Sequence, residues 1–384
     1  MLKKEIARTR RFLKHRAMLR CENLSVHAPD GTPILHQVNA AFQPEAMNAV
    51  IGPSGCGKTT LVKALLGLVP HHGTVTCAGQ AVSRSEDLLG RVGFAPQFSI
   101  AQPQLSVRET LDFALRLTVT DPARREQRRA YILEVTGLAE HAQKRVSALS
   151  GGQLRRLGLG LEFVTDPPCL ICDEVTSGLD PNSEDQILGL LQGLTRDPEQ
   201  PRTFINIIHN LAKLELFDDV TVVYEGRVVF QGSPDALNHH FGIADPLHLY
   251  DRLAEQPIGH WLEHAPDSPP ARAGSGTNSP DSTAETEHGE HRPGPCAPRT
   301  ASLPSATAQA ATLLHRRFLL FVRDRGYLGL TAAITFGFPC LVVIFALGGL
   351  PQFEGLALEP SGGEIEQLRA RLDFQLRAAE TAQL

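Results

Sequence analysis

Gly52-Pro53-Ser54-Gly55-Cys56-Gly57-Lys58-Thr59-Thr60 fits the phosphate-binding loop pattern G-x-x-x-x-G-K-[ST]. Asn48-Ala49-Val50-Ile51 in front of it is short, apolar and partly β-branched, which predicts a buried strand. Behind it, Leu61, Val62, Leu65 and Leu66 are spaced as on one face of a helix. A glycine-rich turn by itself could be only a turn, but strand, loop and helix together make a site. The glycines let successive backbone N–H groups turn inward around phosphate oxygens, and the helix N-terminus adds partial positive charge. Lys58 is placed for the β- and γ-phosphates and the Thr59 hydroxyl for Mg²⁺. The expectation is a nucleoside triphosphate site.

Downstream, Cys169-Leu170-Ile171-Cys172-Asp173-Glu174 is an apolar strand that ends in two acids. Asp173 would complete the Mg²⁺ shell, directly or through water, and Glu174 would orient and polarise the attacking water. Cys169 and Cys172 have C-x-x-C spacing, yet on a strand residues three apart point to opposite faces, so they read as core and not as a metal site. Around these motifs the chain alternates strand-like runs with helical stretches up to about residue 241. That rhythm predicts an α/β domain on a largely parallel sheet. The clearest strands are Arg91–Phe94, Thr203–Ile208 and Val220–Tyr224, with a last hairpin turning at Glu225-Gly226-Arg227 into Val228–Phe230.

Leu149-Ser150-Gly151-Gly152-Gln153, followed by a helical run to Phe163, makes a family resemblance specific. It resembles the signature motif of the ATP-binding cassette (ABC) transporter family and lies between the two Walker motifs, as it does there. Ser150 can cap the helix, and the glycines permit close approach of backbone to an anion. Phe94-Ala95-Pro96-Gln97 is similar to the Q-loop, Ser177-Gly178-Leu179-Asp180 to the D-loop, and His209 to the switch histidine. The resemblance covers residues 21–245 closely and 309–351 loosely. It implies a P-loop NTPase fold with a helical signature subdomain, ATP and Mg²⁺ as ligands, and a head-to-tail pair of nucleotide domains. In that pair Ser150, Gly151, Gly152 and Gln153 would cover the γ-phosphate of ATP held by the partner subunit. Catalysis would fall to Glu174, His209 and Gln97, with Gln97 also touching Mg²⁺ beside Thr59 and Asp173. Two positions depart from the family's pattern. The aromatic that usually stacks on adenine has only His27 in its place, and Val175 stands where proline is usual.

The chain carries a net charge of −5, which gives no support for nucleic acid as a partner. Its seven cysteines have no framework spacing and suit a reducing cytoplasm. Residues 1–20 form a basic arm and 21–265 the ATP-binding domain. Residues 266–307 lose apolar periodicity and read as a disordered linker. A basic amphipathic connecting helix is expected over 308–326. No charged residue occurs from Tyr327 to Pro351, roughly 35 Å of helix against a hydrocarbon core of ~30 Å. Pro339 should kink this transmembrane helix. Arg316, Arg317, Arg323 and Arg325 precede it, so the ATP-binding domain is expected in the cytoplasm. Residues 352–384 read as an amphipathic helical tail. A nucleotide domain ahead of the membrane segment is similar to the G subfamily of half-transporters. One span cannot line a path, so the sequence reads as truncated, with further spans beyond Leu384 or in a partner.

The preferred expectation is therefore an ATP-hydrolysing transporter subunit, with export as the family-based direction. The alternatives are a membrane-tethered cassette with a regulatory role, and a non-transport ATPase of the superfamily. The latter would carry a coiled-coil insertion or tandem cassettes, and neither is visible.

Overall fold

Parallel strands buried on both faces read as continuous apolar runs, and three such runs build the centre of this protein. The computed structural model describes residues 18–97, 101–264, 303–348 and 366–373. Strands β1 (Leu19–His27), β2 (Pro33–Phe42), β3 (Met47–Ile51), β4 (His72–Cys77) and β5 (Gln80–Ala81) are followed by β6 (Val92–Ala95) and β7 (Cys169–Asp173). Then come β8 (Thr203–Ile207), β9 (Asp219–Tyr224) and β10 (Arg227–Gly232). A six-stranded sheet has the order β10-β9-β3-β8-β7-β6, parallel except for the β9–β10 hairpin. Every residue of β3, β7 and β8 is buried. A second sheet, β2-β1-β4-β5, is antiparallel.

Alternation along the central strands feeds two core layers. Met47, Ala49 and Ile51 join one cluster and Val50 the other; Leu170 and Cys172 separate in the same way from Cys169 and Ile171. The two cysteines thus take opposite faces, and among the described residues no three His, Cys, Asp or Glu side chains gather as a metal site. Helix α1 (Lys58–Leu65) buries Leu61, Val62 and Leu65 in the layer shared with the antiparallel sheet. Helices α2 (Val107–Thr118), α3 (Pro122–Val135), α4 (Gly151–Glu162) and α5 (Pro181–Thr195) contribute Leu111, Ile132, Leu157 and Leu191 to the other. Further along come α6 (Pro234–Phe241), α7 (Leu249–Ala254) and α8 (Ile258–Glu263).

Gln231 ties the two sheets together. Its amide exchanges hydrogen bonds with the Ala41 backbone (2.8 and 3.1 Å) and donates to Asp219 Oδ2 at 3.0 Å. Burial pushes the Asp219 carboxyl up to about 6. The folded state therefore binds this proton more tightly than the unfolded chain. The resulting penalty is absent below about pH 4, grows as pH rises, and is complete above about pH 6. Asp219→Asn is expected to raise stability by about 1–3 kcal/mol at pH 8 and by nothing at pH 4. Thermal melts at the two pH values check it, since each 1 kcal/mol corresponds to about 2–4 °C in a domain of this size.

The chain divides into two units, Met1–Leu320 and Phe321–Leu384. Helix α9 (Ala306–Arg323) is followed by α10 (Arg325–Ala332), one π-helical turn at Ala333–Gly337, and α11 (Phe338–Gly348). Gly326–Leu347 is long and apolar enough to cross a membrane, by length and composition alone, and none of its described residues is buried. That π turn lies just before Pro339, the expected site of a kink. In a regular helix the proline ring there would crowd the carbonyl of Thr335. Two edges differ from the sequence reading. Leu19 and Arg20, assigned to the basic arm, already pair in β1, and Ala306 and Thr307, assigned to the linker, begin α9. Residues 1–17 of the arm, most of the linker and most of the tail lie outside the described residues, although 366–373 are helical.

Candidate functional site

The phosphate loop runs from the end of β3 to the start of α1, and its shape is dictated by glycine. Gly52 has φ 153°, and a Cβ there would lie 2.1 Å from the Val223 carbonyl oxygen. Gly57, at φ 105°, precedes α1 and would press a Cβ onto Leu35 Cδ2 at 2.8 Å. These contacts are backbone or packed core, so the room cannot be made cheaply. Gly52→Ala is expected to cost several kcal/mol, since strained backbone and overpacking each cost about 1–3 kcal/mol. A melting temperature within 2 °C of wild type, at the ~2–4 °C per kcal/mol cited above, would contradict that.

Lys58 is buried, with Nζ 2.8 Å from both the Gly52 and Pro53 carbonyl oxygens and 4.0 Å from Cys56 Sγ. The loop is folded around its own ammonium. Ser54 and Gly55 stand exposed at the loop's outer turn, and Thr59 and Thr60 are half-buried in the first turn of α1. Thr59 Oγ1 donates to Asp173 Oδ1 at 3.4 Å, so the end of β7 lies beside the loop. Burial and the neighbouring charge of Glu174 push the Asp173 carboxyl up. A hydroxyl and a desolvated carboxylate side by side are the hard oxygen donors that suit Mg²⁺.

Glu174 follows β7 in the left-handed region, at φ 53°. Its Oε2 accepts from Gln97 Nε2 at 2.9 Å, and its Oε1 lies 2.6 Å from His209 Nε2. Gln97 comes two residues after β6 and His209 two after β8. The parallel order β8-β7-β6 therefore delivers three side chains to one end of the sheet. Thr59, Asp173, Glu174, Gln97 and His209 form one connected set.

The signature residues stand apart from that set. Ser150 caps α4 in a capping box: its Oγ accepts the Gln153 N–H at 3.3 Å, and Gln153 Oε1 accepts the Ser150 N–H at 3.1 Å. Gly152 packs so closely that a Cβ would sit 2.7 Å from Ser183 Oγ. Leu179 is beside Gly151, and Asp180 caps α5 by accepting from the Ser183 N–H at 3.0 Å. Ser177 bonds back through its N–H to the Glu174 carbonyl at 3.0 Å, and Gly178 turns at φ 74°. His27, the expected adenine neighbour, is exposed at the end of β1 with its ring 6.1 Å from that of His72.

Sequence reading missed Tyr250, on α7. Its hydroxyl accepts the Gly52 N–H at 3.2 Å across 198 residues of chain. It also missed His141, whose Nε2 lies 2.9 Å from Gln153 Nε2. Neither falls in a motif, so no local signal could have found them.

A parallel sheet with a phosphate loop after one strand and two acids after another defines a P-loop ATPase of the cassette type. The family model described as "ABC transporter" matches residues 35–177. The methionine import ATP-binding protein MetN of Caulobacter vibrioides is 35% identical over 236 residues, covering 60% of this chain and 70% of that protein. The chain belongs to the ABC transporter ATP-binding family. The ABC transporter ATP-binding/permease protein Rv1747 of Mycobacterium tuberculosis is 31% identical over 309 residues, 79% of this chain but only 34% of that protein. The chain thus spans about a third of that relative's length. The ABC transporter G family member 26 of Arabidopsis thaliana is 32% identical over 62% of this chain. The solved structure of cbiO1 from Clostridium perfringens, part of the ABC transporter complex cbiONQ, superposes with TM-score 0.54 at 26% identity, covering 65% of this chain and 99% of that one.

Proposed function

We propose that this chain is the ATP-hydrolysing part of a membrane exporter in which two nucleotide domains close head to tail over two ATP molecules. The observation that carries this reading is the placement of Glu174 between Gln97 and His209, next to the Thr59–Asp173 pair. Glu174 polarises the attacking water, His209 and Gln97 orient it, and residues 52–60 cradle the phosphates through backbone N–H groups and Lys58. Thr59, Asp173 and Gln97 hold Mg²⁺, which when bound would neutralise phosphate charge. Ser150 through Gln153 face the partner's ATP, with Ser177 through Asp180 at the seam between the two domains.

Residues 21–265 act as the nucleotide domain on the cytoplasmic side of a cell membrane. A linker that ends before Ala306 and a basic connecting helix that starts there lead to a span (327–351) and an amphipathic tail (352–384). The arginines ahead of the span favour that orientation. A nucleotide domain ahead of a span is the order of parts that resembles the G subfamily, one of whose members is among the relatives, and export is the direction that resemblance implies.

Ser150→Asp tests the composite site. Aspartate keeps the helix cap, yet sets a carboxylate against the partner's γ-phosphate. The variant is expected to bind ATP as a monomer with wild-type affinity and to lose both ATP-driven dimerisation and turnover. Sedimentation with ATP and Mg²⁺ reads this. A variant that still pairs and hydrolyses would remove the signature loop from the role given to it.

A further inference from the structure

Helix α4 has different business at its two ends. At the first turn, Ser150 and Gln153 build the signature loop. At its last residue, Glu162 turns back onto the sheet. Strand β6 is the sheet's edge, so one row of its amides faces away from β7. The Phe94 N–H in that row donates to Glu162 Oε2 at 3.2 Å. Among the described residues it is the one hydrogen-bond donor this carboxylate has. Burial pushes the Glu162 carboxyl up to about 7, the mark of an acid held where a leucine would sit more cheaply. An amide at an exposed edge could be satisfied by water; here it is held by one side chain from the far end of the signature helix.

Phe94 lies three residues before Gln97, whose amide holds Glu174 Oε2 at 2.9 Å. Between helix and strand remains a cavity of about 20 Å³, lined by Pro96, Arg155, Leu159, Glu162 and Val175. It joins the signature helix, the turn into Gln97 and the residue after Glu174 in one gap, room for about one water. Beside this gap the Glu162–Phe94 bond joins the end of the signature helix to the strand.

We propose that Glu162 is a positioning residue: it ties the end of the signature helix to the strand that carries Gln97, so that seating of Ser150 on a partner's ATP sets Gln97 against Glu174. The proposal rests on the roles given above to Ser150, Gln97 and Glu174. Glu162 touches neither nucleotide nor water in it.

The test uses the full chain with Glu162→Leu, which keeps bulk and removes the acceptor, and Glu162→Gln, which keeps an acceptor oxygen. Turnover, the KM for ATP, affinity for a fluorescent ATP analogue and melting temperature are measured for each, with Glu174→Gln as reference. Glu162→Leu is expected to lower kcat at least fivefold with KM and analogue affinity within twofold of wild type. Glu162→Gln is expected to restore kcat to within twofold. Three results overturn the proposal: wild-type kcat in Glu162→Leu, equal losses in both variants when both bind the analogue normally, or a loss confined to analogue affinity and melting temperature. Full turnover by Glu174→Gln would instead strike the catalytic reading itself, whatever Glu162 does.

Discussion

Glu174→Gln is expected to lower ATP turnover by about 10²–10⁴-fold, the range in which a positioned general base contributes. The side chain hangs from a backbone turn at φ 53° and is gripped at both oxygens, 2.9 Å from Gln97 Nε2 and 2.6 Å from His209 Nε2. Glutamine fits the same space and can still meet one of these partners, so the fold and loop stay intact. What it lacks is the negative charge and basicity that draw a proton from water. ATP binding should therefore persist, and with hydrolysis blocked the closed pair should accumulate. Single-turnover kinetics and sedimentation in ATP read the two halves of this outcome. Turnover at the wild-type rate would move the base elsewhere, and loss of ATP binding would show that Glu174 shapes the cradle instead.

Lys58→Ala should cost the other large effect, in affinity. Lys58 Nζ is held by two backbone carbonyls of its own loop at 2.8 Å each. Alanine leaves those carbonyls facing an empty, buried space and removes the one cation inside the loop. A hydrogen bond to a charged group contributes about 1.5–3 kcal/mol, and phosphate oxygens would accept from this ammonium. The Kd for ATP is expected to rise by about 10- to 150-fold, at 1.4 kcal/mol per factor of ten. Titration calorimetry settles it, and an unchanged Kd would take Lys58 out of the phosphate site. The rise in melting temperature on adding a fixed concentration of ATP should also shrink, because the stabilisation comes from binding to the folded state.

Much of this site was legible because its chemistry is local. A phosphate loop needs glycines and a lysine at fixed spacing, and β7 needs an apolar run before its acids, so both show in a few residues. Strands β7, β8 and β9 appear within a residue or two of where apolar runs place them. Their order in the sheet does not follow from such runs: β3 lies between β8 and β9, and nothing in Asn48–Ile51 names either neighbour. An all-apolar strand has two equivalent faces, so pattern alone cannot set its pairing. The same limit hid Glu162, which looks like an ordinary polar residue at a helix end until β6 arrives beside it. It also hid the π turn before Pro339, because proline marks where a helix must adjust but not how.

The Tyr250 hydroxyl on the Gly52 amide has a practical side. All the recognisable motifs end by His209, and a fragment cut after β10 would carry every one of them. It would lack α7, and with it the only side chain reaching the Gly52 amide from outside the loop among the described residues. The fragment cut after β10 and the smallest piece that keeps the Tyr250 hydroxyl on the loop are different pieces of chain, separated by the stretch from Ser233 to Tyr250.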